Sequence, residues 1–315
     1  MGWSIADIPG QDGIVAVVTG ANSGLGFVTA RELGAAGARV TIACRDEAKG
    51  REAVNELRRL EPEGSFELIL LDLSSLASVA QTCAELRESL DRVDLLVNNA
   101  GVMIPPYRLS EDGYELQLAT NHLGHFALTA QLAELLAASP LPRVVTVSSA
   151  VHRSGSINFQ DINSEKRYRR YEAYAQSKLA NLLFTYELQR RATDAGWEML
   201  SLASHPGYSA TNLQFSGLGM DEQPILLRLT GVANALLAQE AESGALPTLY
   251  AATSPDVPPG AFVGPDGPFE MRGSPKLVEP AAAARDEIAA RRLWELSEEL
   301  TGTAFEMPEP QRARR

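Results

Sequence analysis

The feature that most constrains the fold is a regular alternation of short apolar runs with amphipathic segments. Strands are predicted at residues 14–19, 39–43, 66–71, 93–97, 143–148 and about 198–203, and helices at 23–36, 47–60, 72–90, about 112–138 and about 174–195. Such alternation indicates a parallel sheet covered by helices on both faces. Run 68–71 is apolar throughout, which is typical of a strand buried on both sides. We predict an α/β fold, a single doubly wound Rossmann-type domain with a central parallel sheet.

The rest of the chain offers no polar linker at which a second domain could begin. We predict one domain over residues 1–302, with an irregular segment at about 208–239 that covers the substrate. Residues 255–268 are rich in proline and glycine and are predicted as loop. A terminal helix is predicted over 281–300, and the tail 303–315 is predicted to be loose.

Composition excludes several functional classes. The net charge of −12 argues against a nucleic-acid partner, because phosphate backbones favour a basic face. Two cysteines, Cys44 and Cys83, make no disulfide framework, so a reducing cytoplasm is expected. The N-terminus has no basic and apolar signal pattern, and no run reaches the ~18 apolar residues of a spanning helix. We therefore expect a cytoplasmic protein without membrane insertion.

A glycine-rich loop, T-G-A-N-S-G-L-G at residues 19–26, joins the first predicted strand to the first helix. Glycines allow a sharp turn and a close approach of backbone to phosphate, and the helix N-terminus offers free N–H groups. The G-x-x-x-G-x-G spacing is one residue longer than the common dinucleotide fingerprint, and alone it fits a plain tight turn. Its position after the first strand favours a dinucleotide site. The candidate cofactor-binding residues here are Gly20, Asn22, Ser23, Gly24, Leu25 and Gly26.

The end of the second strand is expected to meet the adenosine ribose. An acidic residue there binds the 2′-hydroxyl of NAD, whereas arginine accommodates the 2′-phosphate of NADP. Cys44 occupies the acidic position and Arg45 follows it, so NADP is favoured and NAD stays possible. Asp46 is a counter-argument, because its carboxylate can neutralise Arg45 or cap the next helix.

Tyr174 and Lys178 lie four residues apart in a predicted helix, so their side chains share one face. A phenol has a pKa near 10, and a neighbouring ammonium lowers it toward use as a general acid or base. Tyr168 and Tyr171 have no lysine four residues on. By itself the pair is also compatible with an ordinary helix-surface contact.

Polar residues follow two other predicted strands, at the edge where ligands bind in doubly wound sheets. Ser148 and Ser149 end one strand, and the sequence N-N-A-G at 98–101 follows another. Asn121 lies in an otherwise apolar helical stretch, where it is either a satisfied core amide or the holder of a water molecule.

In combination, these motifs resemble the short-chain dehydrogenase/reductase family. The matching residues span most of the chain in the family order: the loop 19–26, Asp72-Leu73, 98–101, Asn121, Ser149, Tyr174-x-x-x-Lys178 and Pro206-Gly207. Segments 43–46, 121–126, 177–181 and 293–297 resemble its retinol dehydrogenase-like branch. That branch shares the long stretch between Ser149 and Tyr174, whereas the N-terminal anchor of membrane-bound relatives is not expected here.

The resemblance implies a role for each motif. Tyr174 exchanges the proton of the substrate oxygen, Lys178 lowers the tyrosine pKa and holds the nicotinamide ribose, Ser149 rather than Ser148 bonds the substrate oxygen, and Asn121 supports a water in the proton relay. The implied cofactor contacts are Asp72, Leu73, Asn99, Ala100, Gly101, Tyr174, Lys178, Pro206 and Thr211.

The predicted function is hydride transfer between a nicotinamide cofactor, NADP favoured, and a small, mainly apolar carbonyl or alcohol. The alternative is a nucleotide-sensing or interaction protein with little catalysis, whose signature is a broken Ser/Tyr/Lys set; the set is intact here. A tetrapyrrole reductase shares many motifs, but no feature calls for it. His122 and His125 are interpreted as packing or polar-contact residues, with no metal expected. A homo-oligomer is possible.

Overall fold

A computed structural model describes residues 2–208 and 241–308 of the chain. Its described strands form one sheet in the order β3-β2-β1-β4-β5-β6-β7-β8. The strands are β1 Val15–Thr19, β2 Arg39–Cys44, β3 Ser65–Leu70, β4 Leu95–Asn98, β5 Arg143–Val147, β6 Leu200–Ser204, β7 Phe262–Pro265 and β8 Pro275–Leu277. Strands β1 to β7 are parallel, and β8 runs antiparallel to β7 at the edge.

Helices cover both faces of this sheet. They are α1 Gly24–Ala35, α2 Glu47–Leu60, α3 Leu76–Ser89, α4 Leu116–Leu118, α5 Gly124–Gln131, α6 Ala133–Ala137, α7 Arg170–Asp194, α8 Ala241–Thr253 and α9 Glu287–Thr301. The predicted doubly wound Rossmann-type fold is confirmed. In the described part of the chain, no helix is long and apolar enough to cross a membrane.

The strand order reverses on either side of β1, which pairs with β2 and with β4. Diverging connections leave a crevice at such a point, beyond the carboxyl ends of the strands. Thr19 ends β1 and Asn98 ends β4, so both lie at the mouth of this crevice.

The core consists of two apolar layers separated by the sheet. Along β1, Val17 faces one layer with side chains of α3, α5, α7 and α9, while Ala16 and Val18 face the other with α1, α2 and α8. This two-sided burial explains the unbroken apolar runs in the sequence.

The stretch predicted as one helix over 112–138 is divided. It contains α4, a π-helical turn at Ala119–Leu123, α5 and α6. Asn121 lies inside the π turn and is completely buried. Single π turns inside helices are often found at functional sites, because they change the direction in which side chains point.

Three predictions toward the C-terminus were wrong in part. The predicted loop 255–268 contains β7, whose pairing with β6 is not visible in local composition. The last helix begins only at Glu287, after Asp286 caps it. Phe305, in the tail predicted to be loose, is 5% exposed and lies against Trp294. The proposed substrate-covering segment, from residue 209 onward, lies outside the described residues.

Candidate active site

A cleft of about 900 Å³ opens at the point where the strand order reverses. It is lined by residues of four predicted motifs: Gly20, Asn22, Ser23, Gly24, Leu25, Gly26, Arg45, Asp72, Leu73, Asn99, Ala100 and Gly101. Val102 and Thr120 extend its wall toward the π turn. The tertiary structure therefore brings the candidate cofactor residues of the first four strand ends into one cavity.

The glycine loop leaves no room for side chains where the chain turns. Gly20 has a φ of +65°, and a Cβ there would lie 2.9 Å from the Cα of Ala100. A Cβ at Gly26 would lie 2.5 Å from Asn99 Nδ2 and 2.6 Å from the carbonyl oxygen of Gly20. Helix α1 begins at Gly24, so its free N–H groups lie at the cleft. This cradle fits the pyrophosphate of a dinucleotide.

Thr19 ties the glycine loop to the segment after β4. Its hydroxyl accepts hydrogen bonds from the backbone N–H groups of Asn99 and Ala100, each at 2.9 Å. Asn99 Nδ2 in turn donates to the carbonyl of Thr19 at 2.7 Å. These bonds fix the two walls of the cleft relative to each other.

His125 joins Thr19 to the π turn. Its Nε2 lies 2.9 Å from the Thr19 hydroxyl and its Nδ1 lies 3.1 Å from the carbonyl of Asn121. Burial lowers the pKa of His125 to about 3, so the ring is neutral. The carbonyl can only accept, hence Nδ1 carries the proton and Nε2 accepts from Thr19. The polar-contact interpretation of His125 is confirmed, although sequence reasoning missed its link to Asn121, which lies four residues earlier.

Arg45 and Asp46 have different roles at the end of the cleft where the adenosine is expected. Arg45 is exposed at the rim and, within the described part of the chain, has no side-chain hydrogen bond or salt bridge. Asp46 caps α2 by accepting from the backbone N–H of Lys49 at 3.0 Å, and this bond lowers the pKa of its carboxyl. Of the two roles open to Asp46 in the sequence, the structure shows the helix cap.

Tyr174 and Ser149 meet beyond the β4 end of the cleft. Tyr174 is 5% exposed; burial raises its pKa to about 12, and a hydrogen bond with the Ser149 side chain acts in the opposite direction. The Ser148 hydroxyl instead donates to the carbonyl of Lys178 at 2.8 Å. Of the two serines, Ser149 is therefore the one that acts on the pKa of the phenol.

Lys178 is buried beside the Tyr174 ring. Its Nζ lies 5.9 Å from the ring centroid and donates to the carbonyl of Val147 at 3.0 Å. Burial lowers the pKa of Lys178 to about 8. Lys178 is not among the groups that shift the pKa of Tyr174, so the expected lowering by the lysine is not seen in this structure. Desolvation of the phenol has a larger effect on the pKa of Tyr174 than the hydrogen bond with Ser149.

The side chain of Asn121 is fully satisfied by the protein. Its Nδ2 donates to the carbonyl of Val102 at 3.0 Å and to the Ser177 hydroxyl at 2.9 Å, and its Oδ1 accepts from the N–H of Val102 at 2.7 Å. A Cβ at Gly101 would lie 3.0 Å from this Oδ1 and 3.5 Å from Lys178 Nζ. Asn121 and Lys178 thus approach the same glycine.

The structure does not place the last two predicted cofactor contacts, Pro206 and Thr211, in the lining of the cleft. Pro206 follows β6 at the same edge of the sheet but is not among the residues that line the cleft, and Thr211 lies outside the described residues. His205, which sequence reasoning did not use, lies with Nε2 3.0 Å from Glu270 and Nδ1 3.2 Å from the N–H of Gly207. It holds the turn after β6 in place. His122, predicted to be a packing or polar-contact residue, lies in the π turn, and its Nε2 contacts the Ser297 hydroxyl at 2.8 Å.

This fold and site define a class, the Rossmann-type dinucleotide-dependent oxidoreductases. A family model described as short chain dehydrogenase matches residues 14–216. The chain belongs to this family, and as a member it is an oxidoreductase that uses NAD(P).

Individual relatives agree with this assignment. Retinol dehydrogenase 14 of Mus musculus is 42% identical over 301 residues, covering 92% of this chain and 86% of the relative. The crystal structure of an uncharacterized protein from Mycobacterium paratuberculosis is 45% identical, with a TM-score of 0.80 over 97% of this chain and 100% of that one. A structure described as an NAD(P)-dependent gluconate 5-dehydrogenase from Beutenbergia cavernae, with NADP bound at low occupancy, is 29% identical, with a TM-score of 0.59 over 77% and 90%. The predicted resemblance to the retinol dehydrogenase-like branch is confirmed.

Proposed function

We propose that the chain transfers hydride between NADP and a small, mainly apolar carbonyl or alcohol. The observation that carries this proposal is the contact of Ser149 with Tyr174, next to buried Lys178, at the end of a dinucleotide-sized cleft. When bound, the nicotinamide supplies or accepts the hydride. In the other steps, side chains of the protein transfer a proton and stabilise the charge that develops on the substrate oxygen.

Tyr174 is the proposed general acid for a carbonyl and general base for an alcohol. Ser149 bonds the substrate oxygen and the phenol together, which holds the oxygen within reach of the proton. Lys178 keeps most of its positive charge at neutral pH, since its pKa is about 8. In a buried site this charge stabilises the anionic oxygen that develops during transfer.

The walls of the cleft carry the proposed cofactor contacts. The N-terminus of α1 and its glycines bind the pyrophosphate, Asp72 and Leu73 lie at the adenine, and 99–101 run along the cleft toward the nicotinamide. Lys178 holds the nicotinamide ribose, while Pro206 and Thr211 complete that end. Asn121 anchors Val102 and so fixes the wall next to Lys178.

Preference for NADP over NAD is proposed from Arg45. Its guanidinium is exposed at the cleft rim without a partner among the described residues, whereas the Asp46 carboxylate is used by α2. A free guanidinium binds a 2′-phosphate through bidentate, charge-assisted hydrogen bonds. A free 2′-hydroxyl has no acidic side chain to meet at position 44, which is Cys44.

The substrate class follows from the apolar residues near the reacting groups and from relatives named retinol dehydrogenases, which act on an apolar alcohol by name. Val102, Met103 and Ile104 are half-buried and follow Gly101 directly. The alternative, a nucleotide-sensing protein with little catalysis, is not favoured, because Ser149, Tyr174 and Lys178 are all present and Lys178 lies beside the Tyr174 ring.

The proposal is tested by fluorescence titration of NADPH and NADH on the wild-type protein, Arg45→Ala and Arg51→Ala. Arg51 is the matched control, because it is also exposed near α2's start but is paired with Glu47. We expect Arg45→Ala to weaken NADPH binding by about 10- to 100-fold, the loss of one charge-assisted interaction, and to leave NADH binding unchanged. Equal losses for both cofactors, or for both variants, would contradict the NADP preference, and binding of neither cofactor would contradict the function.

A further inference from the structure

Ile104 adopts a backbone conformation that its side chain disfavours. Its φ is +55°, in the left-handed region. A β-branched residue is rarely found there, because its Cβ substituents crowd the backbone. Such strain persists only where the surrounding structure enforces it, and it concentrates at functional sites.

Two buried amides enforce this conformation. Gln117 Oε1 accepts from the N–H of Ile104 at 2.9 Å, and Asn121 holds Val102 through both its N–H and its carbonyl. Both amide side chains are completely buried. Gln117 and Asn121 are four residues apart, so one helical stretch grips the segment Val102 to Ile104 at both ends.

Gln117 also ties this segment to the long insertion before Tyr174. Its Nε2 donates to the Tyr168 hydroxyl at 3.0 Å and to the carbonyl of Arg170 at 3.1 Å. The Tyr168 hydroxyl donates to the carbonyl of Pro105 at 2.9 Å. All hydrogen-bonding groups of the Gln117 side chain are therefore used to join the segment after β4, the insertion and the start of α7.

The segment runs between the reacting groups and the insertion. It begins beside Gly101, where Asn121 and Lys178 converge, and ends at Pro105, where Tyr168 meets it. Val102, Met103 and Ile104 are apolar and only half-buried, so part of their apolar surface is accessible. Accessible apolar surface at the edge of a polar reaction centre suits an apolar substrate.

We propose that Ile104 is a specificity-determining residue that contacts the apolar part of the substrate, and that Gln117 is a positioning residue that holds it there. This inference rests on the proposed function, since it concerns the substrate side of the same site. The chemical class selected is an aliphatic carbonyl or alcohol, and Ile104 discriminates between substrates by the length of their apolar chain.

The test uses Ile104→Ala, Ile104→Gly and Gln117→Met, with Ile288→Ala as control because Ile288 is 78% exposed on α9. Turnover with NADPH is measured for straight-chain aldehydes from propanal to decanal, together with NADPH affinity and decanol binding by calorimetry. We expect Ile104→Ala to shift the ratio of kcat/KM between decanal and propanal by about 10-fold or more, the size of effect that pocket methylenes produce. Gln117→Met should raise KM for the long aldehydes, with NADPH affinity and kcat for propanal nearly unchanged.

A comparison of stabilities tests whether the backbone conformation of Ile104 is strained. Glycine adopts positive φ without strain, so Ile104→Gly should unfold at the same or higher urea concentration than Ile104→Ala. An unchanged aldehyde ratio in all three variants, with an active wild type, would overturn the specificity role, and a less stable glycine variant would overturn the strain argument. A wild type that turns over no aldehyde and binds no decanol would contradict the proposed function instead. If the wild type binds decanol but turns over no aldehyde, altered decanol binding by the Ile104 variants would still support the proposed contact between Ile104 and the substrate.

Discussion

At the residue scale, burial governs the chemistry of the candidate catalytic groups. It opposes the charged form of both Tyr174 and Lys178, and so moves their pKa values apart, to about 12 for the phenol and about 8 for the ammonium. The hydrogen bond with Ser149 is the contact that favours the phenolate. Ser149 therefore contributes to the acidity of Tyr174 as well as to substrate binding in the proposed reaction.

Replacing Tyr174 by phenylalanine removes only the hydroxyl. We expect turnover to fall by about 100- to 10,000-fold, the usual contribution of a general acid or base, with NADPH affinity nearly unchanged. Tyr171→Phe is the matched control, since Tyr171 is 52% exposed on the same helix. Steady-state kinetics and fluorescence titration measure the two quantities. Near-normal turnover of Tyr174→Phe would show that another group handles the proton.

At the element scale, helix α7, which carries Tyr174 and Lys178, packs against α9. Trp294 of α9 stacks on Phe184 of α7 at 5.8 Å between ring centroids, and Phe126 of α5 meets Trp294 edge-on at 5.1 Å. Phe305 completes this aromatic cluster at 4.8 Å from Trp294, and its N–H donates to Glu298. The C-terminal segment is thus part of the scaffold of the site.

Truncating Phe305 to alanine should lower the free energy of unfolding by about 3 kcal/mol, because it opens a cavity beside Trp294. Phe269→Ala is the control: Phe269 is 92% exposed, so its truncation should change stability by less than about 0.5 kcal/mol. Urea denaturation followed by tryptophan fluorescence gives both values. Equal effects of the two truncations would mean that the tail does not pack in solution.

At the scale of the whole molecule, neutral histidines are built into separate parts of the core. His122 and His125 lie in and after the π turn, and His152 follows β5. Burial lowers their pKa values to about 4, about 3 and about 4. Glu270 has a lowered pKa of about 2, mainly through its hydrogen bond with His205.

These shifts predict that the fold loses stability in acid. Unfolded histidines take up protons as the pH falls through about 6.5, whereas the buried ones stay neutral until about 4, so protons favour the unfolded chain in this window. Each histidine should contribute a slope of about 1.4 kcal/mol per pH unit, and Glu270 adds to the loss below about 4.5. Denaturation at several pH values between about 7 and about 5 measures the slope, which His122→Gln should reduce. A pH-independent stability over this range would contradict the prediction.

Much of the fold and the cofactor cleft could be predicted because local patterns encode them. The predicted helix over 47–60 matches α2, and the candidate residues of the glycine loop, the ribose site and the segment 99–101 line one cavity. What local patterns missed depends on distant partners. β7 is a strand because β6 lies beside it, and the π turn occurs where Asn121 meets Val102 and Ser177.

The sequence by itself determined the order of the elements, the positions where only glycine fits and the chemical types at each strand end, because periodicity and backbone freedom are local properties. Only the tertiary structure decided which of the two serines meets Tyr174, that Asp46 serves α2 rather than Arg45, and that Gln117 holds Ile104 in a strained conformation. It also decided the pKa values of the buried groups. Desolvation and hydrogen-bond partnership depend on residues far apart in the chain, and these are brought together only when the sheet and its helices pack.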